Sequence, residues 1–142
     1  MIGQAKINGK DLWSEYKANL IKGAYHTLTG ALVFKDYVSN TSRLEDGDRV
    51  VPSKSPMIKS REFTIQIAVE GSSHVNMIDY FNALVMDLAG YIDFSVPKLK
   101  CGFKLILREV TDATDYKLHD GRLLRIAKFK FYEPNPINRF TV

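Results

Sequence analysis

Residues 60–97 read SREFTIQIAVEGSSHVNMIDYFNALVMDLAGYIDFSVP, and this stretch decides the fold. Phe63, Ile65, Ile67 and Val69 alternate with Thr64, Gln66, Ala68 and Glu70, the two-residue period of a half-buried strand. From Val75 onward the period lengthens. Val75, Ile78, Phe81, Val85 and Leu88, with Met77 and Leu84 beside them, predict a helix over about 74–89 with one apolar stripe. Ser72 and Ser73 offer N-caps, and Gly90 stands where a helix-ending glycine belongs. Alternation then resumes, with Ile92, Phe94 and Val96 against Tyr91, Asp93 and Ser95. Such a unit buries its helix on a mostly antiparallel sheet and carries no catalytic pattern. It points to a scaffold or assembly domain.

Downstream, Pro97 ends the strand. Phe103, Leu105 and Leu107 alternate with Lys104, Ile106 and Arg108 in another strand, and residues 111–122 read as a polar turn region with Asp120-Gly121 at its tip. Leu124 to Tyr132 is the last long strand, and the tail EPNPINRFTV reads as extended. Upstream, Asn8-Gly9 between Ala5–Ile7 and Lys10–Leu12 is a two-residue hairpin signal. Residues 11–22 alternate poorly, which leaves room for a short helical turn. Tyr25, Thr27, Thr29, Leu32, Val33 and Phe34 favour a strand over Ala24–Phe34 by propensity.

Residues 35–60, KDYVSNTSRLEDGDRVVPSKSPMIKS, form a long polar connection for a compact domain. The stretch is either a surface loop or an extended hairpin around Asp46-Gly47, with Leu44 on one arm and Val50 and Val51 on the other. In the second case it is an arm that orders on a neighbouring subunit. The sum is a single α+β domain over residues 1–142. It is a mostly antiparallel β sandwich or barrel-like sheet with one main amphipathic helix.

Composition sets the outer bounds. The chain has 142 residues, enough for one domain, with 45% apolar and 25% charged residues. No run approaches a membrane span, and MIGQAKINGKDLW lacks the apolar core of a signal peptide. The one cysteine, Cys101, rules out an internal disulfide and suits synthesis in a reducing cytoplasm. The net charge of +4 is mild. Its basic residues are dispersed, and Lys104, Arg108, Lys128 and Lys130 alternate with apolar positions, as on a solvated sheet face. The same four residues are the candidate surface for phosphates in the alternative reading, a small nucleic-acid-binding β-rich module.

Patterns for chemistry are missing. His26, His74 and His119 lie far apart without metal-ligand spacing, and Cys101 has no histidine motif beside it. Asp112, Asp115 and Asp120 before Gly121 have the wrong spacing for a calcium loop and no bidentate glutamate. Neither a phosphate-binding glycine loop nor a dinucleotide fingerprint occurs. The sequence therefore predicts no catalytic residue, metal or cofactor, and no enzyme.

Several segments, in order, resemble the distal tail proteins of long-tailed bacteriophages and, more broadly, the tail-tube fold. They are KINGKDL near the start, Ser60-Arg61-Glu62 opening the strand FTIQIAVEGSS, the helix NMIDYFNALVMDLAG, then IDFSVPKLKCGFKLILREV and AKFKFYEPNP. The match covers residues 56–136 well and 5–30 loosely. The resemblance implies a ring, typically a hexamer, that joins the tail tube to the hub or baseplate and leaves a central channel for DNA. It implies other tail proteins as partners, no membrane, and a place in the virion tail. It also puts the 35–60 segment where tube-fold proteins dock an arm on the adjacent protomer. Leu44, Val50, Val51 and Arg61 are the residues expected at that interface.

Overall fold

The computed structural model describes residues 2–32, 38–41, 48–51 and 58–141. The chain opens with β1 (Lys6–Ile7) and β2 (Lys10–Asp11), joined by Asn8 and Gly9 at φ 50° and 85°. Both turn residues sit at positive φ, as a type I′ hairpin requires, and the predicted hairpin is there. Asp11 then caps α1 (Leu12–Tyr16) by accepting from the Ser14 amide at 3.0 Å. Lys17 leaves that turn in the left-handed region and starts β3 (Ala18–Leu20).

Residues 24–28 form the short helix α2 (Ala24–Leu28), where residue propensities predict a strand. Gly23 at φ 96° reverses the chain, and Ala24 and Leu28, four apart, reach the core together. The hydroxyls of Thr27 and Thr29 donate to the carbonyls of Gly23 and Tyr25 at 3.1 and 2.8 Å. Burial of one face outweighs the β preference of the threonines. Two strands follow, β4 (Val38–Thr41) and β5 (Asp48–Val51), paired antiparallel from Val38↔Val51 to Thr41↔Asp48 in a two-stranded sheet of their own.

The decisive segment folds as β6 (Arg61–Gly71), α3 (His74–Asp87) and β7 (Tyr91–Val96). Ser73 accepts from the Asn76 amide and Asn76 Oδ1 from the Ser72 amide, both at 3.2 Å, so the two side chains cap the helix reciprocally. Most of the predicted stripe faces the core, and only its first two members, Val75 and Ile78, do not. Met77, Leu84 and Leu88 are buried, and Tyr80, Phe81 and Val85 pack partly, whereas Val75 is 70% exposed and Ile78 lies at the margin. Gly71 sets this orientation: a side chain there would lie 2.5 Å from the Met77 backbone nitrogen, so the first turn of the helix rests on the strand.

After a 3₁₀ turn at Pro97–Leu99 comes β8 (Cys101–Lys117), then β9 (Leu123–Glu133) and β10 (Phe140–Thr141). The polar run 111–117 is strand, so the predicted turn region shrinks to residues 118–122. It pairs with β9 across two bulges, one at Arg108 and one at Asp112-Ala113, and its residues are exposed. With both faces wet, this half of β8 has no apolar alternation to read.

All pairings are antiparallel, in the order β2-β1-β7-β8-β9-β6-β3, with β10 beside the start of β8. The α+β, mostly antiparallel class is as the sequence predicts. Phe94, Phe103, Phe129 and Phe131 are fully buried, and Phe129 meets Phe81 of α3 edge-on at 6.1 Å. Each such ring contributes about 2–3 kcal/mol by burial. They fasten the helix to the sheet centre and leave the other sheet face to polar rows. No helix among the described residues is long and apolar enough to cross a membrane.

Candidate functional site

The residues singled out by sequence fall in three places. Lys104, Arg108, Lys128 and Lys130 project from β8 and β9, and each meets a carboxylate. Lys104 lies 2.7 Å from Asp93, Lys128 3.3 Å from Asp112, and Arg108 and Lys130 flank Glu62 at 3.7 and 3.6 Å. The Arg108 guanidinium also stacks 4.4 Å from the Tyr132 ring. Four cations thus meet three carboxylates, Glu62 being shared, so most of the positive charge of these four residues is paired.

The three aspartates around the β8–β9 turn are also taken up by cations. Arg125 grips Asp115 at 2.7 and 3.0 Å and holds its carboxyl below the usual range. Asp120 is lowered first by the Arg122 backbone amide and then by the Arg122 side chain. Arg122 reaches on to Glu70 at 2.9 Å. Among the described residues no group of three or more His, Cys, Asp or Glu side chains could hold a metal.

Val50 and Val51 lie on β5, opposite Ser39 and Val38. Leu44 and the predicted turn Asp46-Gly47 lie outside the described residues. Arg61 stands directly opposite Glu133 in the β6–β9 register, with 13% of its side chain exposed. Glu133 is fully buried, and Arg61 reaches it at 2.9 Å while Arg139 grips both its oxygens at 3.1 Å. The other end of the Arg61 guanidinium donates to the Thr27 and Leu28 carbonyls at 3.3 and 2.9 Å, closing the end of α2. Burial pulls the Arg61 pKa down, and Glu133 opposes that pull. Arg61 is thus engaged within its own chain. Its partners Glu133 and Arg139 were missed by sequence reading, although the alternation of β9 carried the signal: Ala127, Phe129, Phe131 and Glu133 form one inward row.

A groove of about 390 Å³ opens where α1, the start of α3 and the β8–β9 turn converge. Trp13, Tyr80, Asn76, Glu70 and Arg122 line it, and Lys17 lies over the Trp13 ring at 5.1 Å. The groove joins three separate stretches of the chain, around Trp13, around Glu70–Tyr80 and at Arg122.

The arrangement is an α+β fold with a separate strand pair, in which Lys104, Arg108, Lys128 and Lys130 are each paired with a carboxylate. The sequence matches no protein-family model and no curated protein. Among solved structures the fold is similar to the crystal structure of the SPP1 Dit (gp 19.1) protein, presented as a paradigm of the hub adsorption apparatus in phages that infect Gram-positive hosts. The TM-score is 0.60 at 11% identity, over 94% of this chain and 50% of that one. The chain thus spans half the length of that structure, and the likeness is one of fold.

Proposed function

We propose that this chain is a structural tail protein of a phage or prophage that assembles into a ring. The ring, hexameric in the resemblance, joins the tail tube to the tip, hub or baseplate and lets DNA pass through a central channel without sequence-specific binding. The protein is made in the bacterial cytoplasm and ends in the virion tail, with other tail proteins as partners and no membrane. Its work is assembly and not catalysis.

One observation carries this reading: the fold likeness to a hub adsorption protein spans nearly the whole chain. Two features support it. The β4–β5 pair joins no other strand among the described residues, as an arm that docks on a neighbour would. The strand face also spends its cations on carboxylates, so DNA passing over it would meet little net attraction. That second feature counts against the alternative of a nucleic-acid-binding module.

In this reading Leu44, Val50 and Val51 anchor the arm on the next protomer. Arg61 contributes from inside its own chain, by fixing the strand that follows the arm. Deleting residues 40–54 tests the arm. The expected product is a folded monomer that forms no rings; intact rings after the deletion would sink it.

A further inference from the structure

Strand β8 outruns both of its long neighbours. β9 pairs with it from Ile106 to Lys117, whereas β7 stops at the Tyr91↔Ile106 pair. From Leu107 to Lys117 the edge opposite β9 therefore has no strand beside it among the described residues. Nor do these residues make a backbone hydrogen bond outside the β8–β9 ladder there. Bulges at Arg108 and Asp112-Ala113 break this edge, a common defence against strand addition. The last piece, Thr114–Lys117, has no such defence. Its four exposed residues run in unbroken register against Ile126–Leu123 and include no proline or glycine. Tyr91 at the root of the edge and Tyr116 near its tip are 74% and 49% exposed, large apolar side chains left in water at both ends.

The same chain carries a strand pair that lacks a sheet. β4 and β5 pair only with each other among the described residues, and a two-stranded hairpin is marginal in water until it gains a third strand. Strand β5 and the open piece of β8 are each four residues long. Every strand pair described in this protein is antiparallel. Laid that way, β5 sets Asp48 against Lys117, Arg49 against Tyr116 and Val51 against Thr114. These are an opposite-charge pair, a cation on an aromatic ring and a β-branched pair, all favourable cross-strand neighbours. No like charges meet, since Val50 falls opposite Asp115. The same alignment of β4 sets Ser39 against Tyr116 and Asn40 against Asp115, without such matches. We propose that β5 of one copy adds to the Thr114–Lys117 edge of β8 in the next copy, antiparallel and with Arg49 opposite Tyr116. The contact is head-to-tail, because the donor strand and the acceptor edge are different parts of the chain. It rests on the ring reading and deepens it, by naming the surface that receives the arm.

Disulfide trapping between single-cysteine chains tests this contact. Cys101, the one native cysteine, is replaced by serine in every chain. Full-length chains carrying Arg49→Cys and Tyr116→Cys are mixed in equal amounts, oxidised mildly and read by non-reducing electrophoresis and intact mass. Tyr116 is exposed, so its replacement leaves the core untouched. Directly opposed strand residues lie about 4.5–5.5 Å apart at Cα, inside the roughly 4.4–6.8 Å that a disulfide spans. The proposal expects the mixed pair to cross-link about tenfold or more faster than either chain alone. Moving the donor cysteine by one position, as Val50→Cys, should lose most of that gain, because it then points to the other face. Equal rates in mixed and unmixed samples, or no preference for Arg49→Cys over Val50→Cys, overturn the proposal and assign the open edge to another occupant. Negative-stain images of the same samples separate the two readings. Rings without the mixed cross-link sink this contact and leave the ring standing. The cross-link in open chains of subunits upholds the contact and counts against a closed ring.

Discussion

Replacing Glu133 with alanine should be among the most damaging single changes available in this protein. The carboxylate is fully buried between Arg61 and Arg139, and four contacts of 2.9–3.1 Å end on its two oxygens. Its loss leaves two guanidinium groups facing one another, each lowering the other's tendency to stay charged, as Arg139 already does to Arg61. Removing one partner of a buried ion pair costs about 3–5 kcal/mol. Arg61 keeps the Thr27 and Leu28 carbonyls, and Arg139 is 23% exposed to water, which puts the cost at the lower end, about 3 kcal/mol. With an unfolding entropy of about 2.1 cal/mol/K per residue over 142 residues, this lowers Tm by about 10 °C. Urea and thermal unfolding followed by circular dichroism measure both numbers. Glu133→Gln keeps an acceptor and should lose about 2 kcal/mol. The apolar triple variant Arg61→Met, Glu133→Leu, Arg139→Met should recover most of the loss, since it leaves no charge unpaired. A loss below about 1 kcal/mol for Glu133→Ala, the range of exposed pairs, would refute the reasoning.

Three further outcomes follow from other contacts. Gly71→Ala would push a methyl into the Met77 backbone and should cost about 2 kcal/mol or more in urea unfolding; a neutral effect would mean that α3 can slide on β6. Tyr16 donates to Asp87, which holds that carboxyl below its ordinary value of 3.8, while burial first and Asp87 second push the phenol above 10.0. Asp87 therefore contributes stability that is present above 3.8 and is lost as pH falls through its lowered folded value. The raised phenol contributes stability that is lost as pH rises above 10.0. Tyr16→Phe should flatten stability against pH on both sides, and an unchanged profile would contradict the linkage. Finally, Lys128→Ala with Lys130→Ala should lower the salt slope of DNA binding by less than about 1, because both ammonium groups are already paired. A fall near 2 in a steep slope would favour the nucleic-acid module.

The strand–helix–strand of residues 60–97 was legible because its apolar residues keep strict periods and its caps are local. The helix face was read correctly except at its first two members. Val75 and Ile78 satisfy the helical period equally well, but the close approach of Gly71 to Met77 and the packing of Phe81 on Phe129 turn Met77, Leu84 and Leu88 inward and leave those two out. Helix α2 was hidden by its threonines, whose side chains bond back to the helix itself. The distal half of β8 was hidden by exposure, since a strand wet on both faces has no apolar period. The candidate surfaces divide in the same way. Lys128 and Lys130 were visible as an outward row, but their neutralisation by Asp112 and Glu62 depends on strand register. The Arg61–Glu133 pair joins positions 72 residues apart and the Trp13 groove joins segments about forty or more apart, and nothing local announces them.

The central claim is ring assembly, and the most direct test is native mass spectrometry across a concentration series with negative-stain imaging of the same sample. The account predicts closed rings of about six subunits around a central hole, as a head-to-tail interface with a closing rotation produces. A strict monomer at every concentration, also in the presence of tail-tube assemblies that could template it, would contradict the account.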